Sequence, residues 1–302
     1  MGRIITEINR RFNAGSILTK YIYINVGVFI VIRLLIIITH LFMIEPSFLE
    51  YVQAPASWTL LLYRPWTIIT YMFVHVDFLH ILFNMLWLYW FGKIFLMFFN
   101  ERQLGGLYVL GGIIGGLLFV ISYNIFPFLK QFSGNSFLAG ASASIMAIVF
   151  AVSFYRKDYA INLLLLGRIK LIYLATGVFL LDIIAITTEN TGGHIAHIGG
   201  SLLGIFFASR YRKGKDITNF MNKIIDKFVN FITRKPSFKI YRKETNKADS
   251  QKNRRAETDD EYHRRRNEEN RMIDEILDKL KRSGYSSLST EEKKKLFDAS
   301  KK

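Results

Sequence analysis

Long apolar runs separated by short polar connections dominate residues 1–211 of this 302-residue chain. A helix needs about 20 mostly apolar residues to cross a bilayer, and such a run satisfies its backbone polar groups only as a helix. The pattern therefore predicts an all-α, polytopic membrane protein. Its six transmembrane helices are expected at residues 21–43, 78–98, 105–126, 138–155, 169–188 and 194–211.

Residues 212–302 carry a different pattern, in which apolar positions recur at helical spacing among many charges. Residues 216–233 predict an amphipathic helix that lies on a membrane surface. Residues 235–268 are charge-rich with few aromatic residues, which predicts a disordered linker. A second apolar stripe and the capping-box sequence Ser289-Thr290-Glu291-Glu292 then predict two short helices. The two stripes comprise Phe220, Ile224, Phe228 and Phe231, and then Met272, Ile273, Ile276, Leu277 and Leu280.

Composition supports this division between an apolar part and a charged tail. The chain is 51% hydrophobic yet 21% charged, and residues 210–302 hold 27 Lys and Arg against 16 Asp and Glu. Such segregation excludes a single soluble globular domain. The basic tail is expected to contact anionic lipid rather than nucleic acid, because its charges are mixed in sign and no recognition motif is visible. The absence of cysteine excludes disulfides, thiolate metal sites and cysteine catalysis.

Positive charges in the short connections predict the orientation, since Lys and Arg concentrate on the cytoplasmic side. They cluster before the first predicted helix, between the second and third, between the fourth and fifth, and after the sixth. Both termini are therefore expected in the cytoplasm. The chain divides into a cytoplasmic segment at 1–20, a six-helix domain at 21–211, a basic amphipathic and linker segment at 212–268, and a small helical module at 269–302.

This orientation places four polar residues at a similar depth, because the second, fourth and sixth helices all begin on the outer side. The residues are His80, Asn84, Ser142 and His197. Polar groups inside a membrane are costly, and are functional candidates for that reason. Taken singly, a membrane serine more often bonds its own helix, and a membrane histidine more often packs or bonds to a neighbour. Together, Ser142 and His197 form a candidate nucleophile and base.

The neighbours of these residues suit acyl transfer. Gly200 and Gly204, four residues apart, form a face that allows a close helix contact, and Ala143, Ala147 and Ala151 have the same spacing. A close contact between the fourth and sixth helices would bring Ser142 to His197. Donors for a developing oxyanion are then the Asn84 side chain and the Ser142 backbone N–H, with His80 on the same helix face as Asn84.

Three motifs in this sequence resemble those of the rhomboid intramembrane serine proteases: His80-Ile81-Leu82-Phe83-Asn84, Gly140-Ala141-Ser142, and Ala196-His197-x-x-Gly200-x-x-x-Gly204. They follow the family's order over about residues 20–211. The resemblance implies a six-helix fold, a Ser142–His197 dyad without a third acid, and an oxyanion site of His80, Asn84 and the Ser142 backbone, supported by Gly140. It implies a cofactor-free endopeptidase whose substrates are transmembrane segments of other proteins. The closest likeness is to bacterial, Bacteroidetes-type members with a basic cytoplasmic tail, in the inner (cytoplasmic) membrane.

Two positions depart from the family pattern. Ala143 follows the nucleophile where the family often has glycine, and Thr67 in Arg64-Pro65-Trp66-Thr67 stands where many members have arginine. Ser144 is a rival nucleophile, but two residues turn a helix by about 200°, so Ser142 and Ser144 cannot both face His197.

Some alternatives stay open at the level of sequence. Residues 44–77 form either an aromatic platform at the membrane interface or an ordinary loop packed on helix ends. His194 and His197 are three residues apart, but no metal site is expected, because the only acid near them in sequence is Glu189. A non-catalytic rhomboid-like adaptor that binds transmembrane clients is the alternative function. No role is assigned to Arg33, His40, His75, Asp182 or His194.

Overall fold

The computed structural model describes residues 14–163, 167–187, 190–232, 259–284 and 287–299. Most of the predicted N-terminal segment, residues 233–258 of the tail and Glu189 lie outside these described residues. The chain divides into two compact units, Met1–Pro236 and Ser237–Lys302.

All six predicted helices are present in the first unit, with ends within a few residues of the predicted ones. They are α1 (Ile17–Leu41), α2 (Phe78–Leu96), α3 (Glu101–Ile125), α4 (Ser142–Tyr155), α5 (Leu171–Ile184) and α6 (Thr191–Tyr211). The first three are long and apolar enough to cross a membrane, while α4 and α5 are shorter apolar helices. The all-α, polytopic fold is confirmed.

Two short antiparallel pairings connect the helices. Strand β1 (Ala54–Pro55) pairs with β2 (Phe137–Leu138), and β3 (Ala160–Leu163) pairs with β4 (Gly167–Lys170). The first pairing joins the connection between α1 and α2 to the segment just before α4. It also explains why α4 begins at Ser142 and not at residue 138 as predicted, since residues 137 and 138 are in a strand.

The connection between α1 and α2 is built from short helical turns. They are Ser47–Tyr51, Trp58–Tyr63, Thr67–Thr70 and Tyr71–Phe73. The connection combines features of both alternatives, because Ala56 and Tyr71 are buried against the helices whereas Leu62 and Tyr63 are exposed.

Helix α4 is the most enclosed of the six, and it is buried continuously from Ala143 to Ser153. The close contact with α6 depends on glycine. A Cβ added at Gly200 would overlap the Ala143 carbonyl, and one added at Gly204 would overlap the Ala147 carbonyl. The two backbones therefore touch, as the small-residue spacing predicts.

The first tail helix, α7 (Thr218–Ile232), packs on the start of α3. Gln103 Nε2 donates to Asp216 Oδ2 at 2.8 Å. A Cβ at Gly106 would lie 2.8 Å from Asn222 Oδ1, so glycine is needed for this approach. The predicted apolar stripe, Phe220, Ile224, Phe228 and Phe231, is exposed.

The second unit contains the two predicted short helices, α8 (Asp259–Ser283) and α9 (Thr290–Ala299). The predicted capping box is present, because Glu292 N donates to Ser289 Oγ at 3.2 Å and Ser289 N donates to Glu292 Oε2 at 2.7 Å. Ile276 and Leu288 are buried in this unit. The predicted linker is wrong for residues 259–268, which belong to α8: Glu and Arg are good helix formers despite their charge.

Candidate active site

The backbone just before α4 sets the position of Ser142. Gly140 has φ +119°, a conformation that other residues rarely adopt, and its N–H donates to the Tyr71 carbonyl at 2.9 Å. A Cβ at Gly140 would lie 2.7 Å from Cε1 of His80. Glycine is therefore required both by the turn and by the imidazole beside it. Ser142 follows as the first residue of α4.

One cavity of about 570 Å³ brings the predicted site residues together. Ser142, His197, His80 and Asn84 all line it, and so does Asp182. Four separate helices supply these side chains: α2, α4, α5 and α6. The sequence alone placed the first four at one depth, and the structure places them around one space.

His75 supports this site from the connection before α2, although the sequence assigned it no role. Its Nε2 lies 3.3 Å from Ala141 N and 3.2 Å from Asn84 Nδ2. A backbone N–H only donates, so this nitrogen is the acceptor and the imidazole is neutral. Burial, and then the nearby His80, lower the pKa of His75 to about 4, against a smaller opposing effect of the Phe73 carbonyl. His75 thus holds the amide of Asn84 beside the turn that carries Ser142.

The Asn84 amide keeps a donor for a ligand. An amide group has two N–H bonds, and a contact with His75 uses one of them. Asn84 is 7% exposed and lines the cavity, and among the described residues its amide nitrogen contacts only His75.

Asp182 is the second residue at the site to which sequence reasoning assigned no role. Its Oδ1 lies 2.9 Å from Nδ1 of His197 and 2.8 Å from Nδ1 of His194. The expectation that Glu189 is the only acid near the two histidines is wrong, because the fold brings α5 against the start of α6. The signal was present in the sequence: an acid within an apolar segment needs a partner, and two histidines three residues apart share a helix face.

The same three residues offer ligand atoms within 4.8 Å of one another, so they are capable of holding a metal ion. The two oxygen–nitrogen distances of 2.8 Å and 2.9 Å are ordinary hydrogen-bond lengths. Hydrogen bonds from the two imidazoles to one carboxylate oxygen account for both distances.

With this geometry in place, comparison with known proteins identifies the family. The model of the Rhomboid domain matches residues 63–213, half of the chain. The chain belongs to the rhomboid family. A relative from Arabidopsis thaliana, the RHOMBOID-like protein 12, mitochondrial, is 29% identical over 160 residues, which cover 49% of this chain and 47% of that protein. The chain thus spans about half the length of this curated relative, and the bacterial subgroup stays a prediction.

The second compact unit has its own match. Residues 256–302 match a family described as a family of unknown function (DUF6576). This match covers α8 and α9.

Several residues of this rhomboid chain lie away from the cavity. Ser144 is buried, and its Oγ lies 3.9 Å from Met72 Sδ on the side toward α3. Arg33 donates to the Val76 carbonyl at 3.2 Å, and His40 is exposed on α1.

Thr67 stands where many rhomboid members have arginine, and it makes a hydrogen bond within the connection between α1 and α2. Thr67 Oγ1 donates to the Arg64 carbonyl at 2.6 Å, and Trp66 Nε1 donates to the Tyr51 carbonyl at 2.8 Å. Arg64 itself donates to the Glu50 carbonyl at 3.0 Å. The departure therefore affects contacts within the connection and not the cavity.

Proposed function

We propose that this rhomboid protein is an intramembrane serine endopeptidase that hydrolyses peptide bonds in or near transmembrane segments of other membrane proteins. The observation that carries the proposal is the single cavity that Ser142 and His197 line together. Ser142 Oγ attacks the carbonyl carbon while His197 takes the hydroxyl proton. The same imidazole then gives that proton to the leaving amine, and water releases the acyl group by the reverse sequence.

The negative charge on the attacked oxygen requires donors that are already in place. Asn84 offers its second amide N–H, and His80 lies beside it on the cavity wall. Ser142 is the first residue of α4, and the first N–H groups of a helix lack intrahelical acceptors. These three groups are the candidate donors to the attacked oxygen in this proposal. Gly140 supports them by allowing His80 to approach the turn before Ser142.

The lining of the cavity supports a transmembrane substrate. Apolar side chains from three helices flank the polar residues, among them Phe83 and Trp87 of α2, Met146 of α4 and Val178 of α5. Such a surface suits an apolar peptide segment, with the polar groups placed only where the bond is cut.

The proposal extends to the position in the cell. We place the chain in the inner membrane, as the resemblance to bacterial members implies, and both termini in the cytoplasm because of the Lys and Arg distribution. The exposed stripe of α7 then faces the cytoplasmic lipid surface, and the basic tail contacts anionic headgroups. Reporter fusions after residues 20, 130 and 232 test this topology, with cytoplasmic, outer and cytoplasmic signals expected in turn.

Cleavage of a reporter transmembrane substrate in proteoliposomes tests the activity. We expect Ser142→Ala and His197→Ala to lose cleavage to background. Ser144→Ala is the matched control, because it removes a hydroxyl of the same helix that faces away from the cavity, and it should retain cleavage. If Ser142→Ala cuts as fast as the parent, the catalytic assignment is wrong. If the folded parent binds the reporter and never cuts it, the adaptor function is supported instead.

A further inference from the structure

The carboxylate of Asp182 is enclosed at the junction of α5 and α6. The residue is 5% exposed, and Oδ1 contacts the Nδ1 atoms of both His194 and His197. Its other oxygen, Oδ2, is buried and has no hydrogen-bond partner among the residues that the structure describes. Enclosing a carboxylate is costly unless donors compensate it, so its position beside His197 calls for an explanation.

The contact with Asp182 determines which tautomer the His197 imidazole adopts. An ionised carboxylate only accepts, so Nδ1 of His197 carries the hydrogen. In a neutral imidazole, Nε2 then has the free lone pair and can accept a proton. Because His197 and Ser142 line the same cavity, this tautomer is the one suited to act as base on the serine.

We infer that Asp182 is a positioning residue for His197, which fixes the tautomer and orientation of the imidazole and stabilises the imidazolium formed when Ser142 loses its proton. The inference rests on the proposed function, and it adds a carboxylate to the Ser142–His197 dyad, for which the resemblance implied no third acid. Nδ1 of His194 contacts the same oxygen at 2.8 Å, and its ring lies 6.0 Å from that of His197 and nearly perpendicular to it.

Nitrogen-15 NMR of histidine-labelled full-length protein in nanodiscs tests this without any need for activity. The signal of His197 is assigned by its loss in His197→Gln. We expect the parent to show neutral His197 with hydrogen on Nδ1, and Asp182→Ala to shift the population toward hydrogen on Nε2. If the parent and Asp182→Ala show the same tautomer of His197, the inference is overturned, whether or not the protein is a protease.

The kinetic test uses the same variants in the proteoliposome assay. We expect Asp182→Ala to lower kcat at least about tenfold with KM changed less than twofold, because the carboxylate acts through the base and not on the substrate. Asp182→Asn keeps the shape and one acceptor oxygen but removes the charge, so it should fold like the parent, keep the tautomer and still lower kcat.

His194→Ala separates positioning from general packing. Since Oδ1 of Asp182 still accepts the hydrogen bond from His197 in that variant, kcat should stay within about threefold of the parent. If His194→Ala loses as much activity as Asp182→Ala while the His197 tautomer is unchanged, the role of Asp182 is structural and the inference fails. Calorimetric binding of zinc by the parent that is lost in both Asp182→Ala and His194→Ala, with displacement of the His197 signal, would overturn it in favour of a cation site.

Discussion

Helices α1 and α3 have the same length and nearly the same hydropathy, yet they have opposite surroundings. Each has 25 residues, with mean hydropathy of 2.5 and 2.2 in their most apolar stretches. Of those stretches, 11% of the residues are buried in α1 and 67% in α3. Hydropathy therefore identifies a helix that crosses a membrane, but not whether its side chains face lipid or protein.

Small residues account for the difference. Lipid tails are as apolar as leucine, so helices in a membrane associate through close packing and hydrogen bonds. Helix α3 carries three pairs of adjacent glycines, and a Cβ at Gly115 would lie 2.6 Å from Ala143 Cβ of α4 and 2.7 Å from the Ala196 carbonyl of α6. A Cβ at Gly27 of α1 would meet no described atom within 4 Å. Gly115 thus lies between the two helices that carry Ser142 and His197.

Replacing each of these two glycines by leucine is expected to give the largest difference between α1 and α3. Gly115→Leu should separate α4 from α6, with loss of substrate cleavage and a destabilisation of about 3 kcal/mol or more, because a well-packed contact is overfilled. Gly27→Leu, the matched change in α1, should keep the stability and cleavage of the parent. Unfolding by sodium dodecyl sulfate in detergent micelles and the proteoliposome assay measure the two effects. Equal losses of stability and cleavage in both variants would show that Gly115 is not more closely packed than Gly27.

Truncation of apolar side chains gives a smaller contrast. Phe119 of α3 is 1% exposed and its ring centroid lies 4.7 Å from that of Tyr123. Phe119→Ala should cost about 3 kcal/mol through the cavity it leaves. Ile30 of α1 is 52% exposed, and Ile30→Ala should change the free energy of unfolding by no more than about 0.5 kcal/mol. The same micelle titration measures both, and a costly Ile30→Ala would show that this face of α1 packs on protein.

The smallest expected difference in the free energy of unfolding comes from the N-terminal caps of α1 and α3. Asn100 caps α3 in a complete capping box, with Asn100 Oδ1 at 2.9 Å from Gln103 N and Gln103 Oε1 at 3.0 Å from Asn100 N. Ser16 caps α1 through one longer contact of 3.4 Å to Thr19 N. We expect Asn100→Ala to cost about 1 kcal/mol and Ser16→Ala about 0.5 kcal/mol. If Ser16→Ala is the more costly in the same titration, the start of α1 is held more firmly than its contacts indicate.

The sequence predicted the helices well and their surroundings less well. All six helices follow from long apolar runs, and the contact of α4 with α6 follows from the spacing of Gly200 and Gly204. The pairing of β1 with β2 could not be predicted, because each strand has only two residues and their partners are far apart in sequence. The helical start of α8 was missed for another reason, since composition alone does not distinguish a polar helix from a linker.

In the candidate site, too, some residues could be predicted from the sequence and others could not. Residues His80, Asn84, Ser142 and His197 stand out because polar groups are rare in apolar runs, and these four line one cavity. The contributions of His75 and Asp182 depend on how the connection before α2 and the middle of α5 approach the other helices, and no periodic pattern encodes that approach. The position of Asp182 in an apolar helix indicates that this acid has a partner, but the sequence does not identify that partner.

Covalent labelling tests whether Ser142 is a nucleophile that His197 activates. The folded full-length protein in nanodiscs is treated with a fluorophosphonate probe, and mass spectrometry locates the modified residue. We expect label on Ser142 in the parent and in Ser144→Ala, and none in Ser142→Ala or His197→Ala. Label on Ser144, or a folded parent that stays unlabelled under conditions that label active rhomboid proteases, would contradict it.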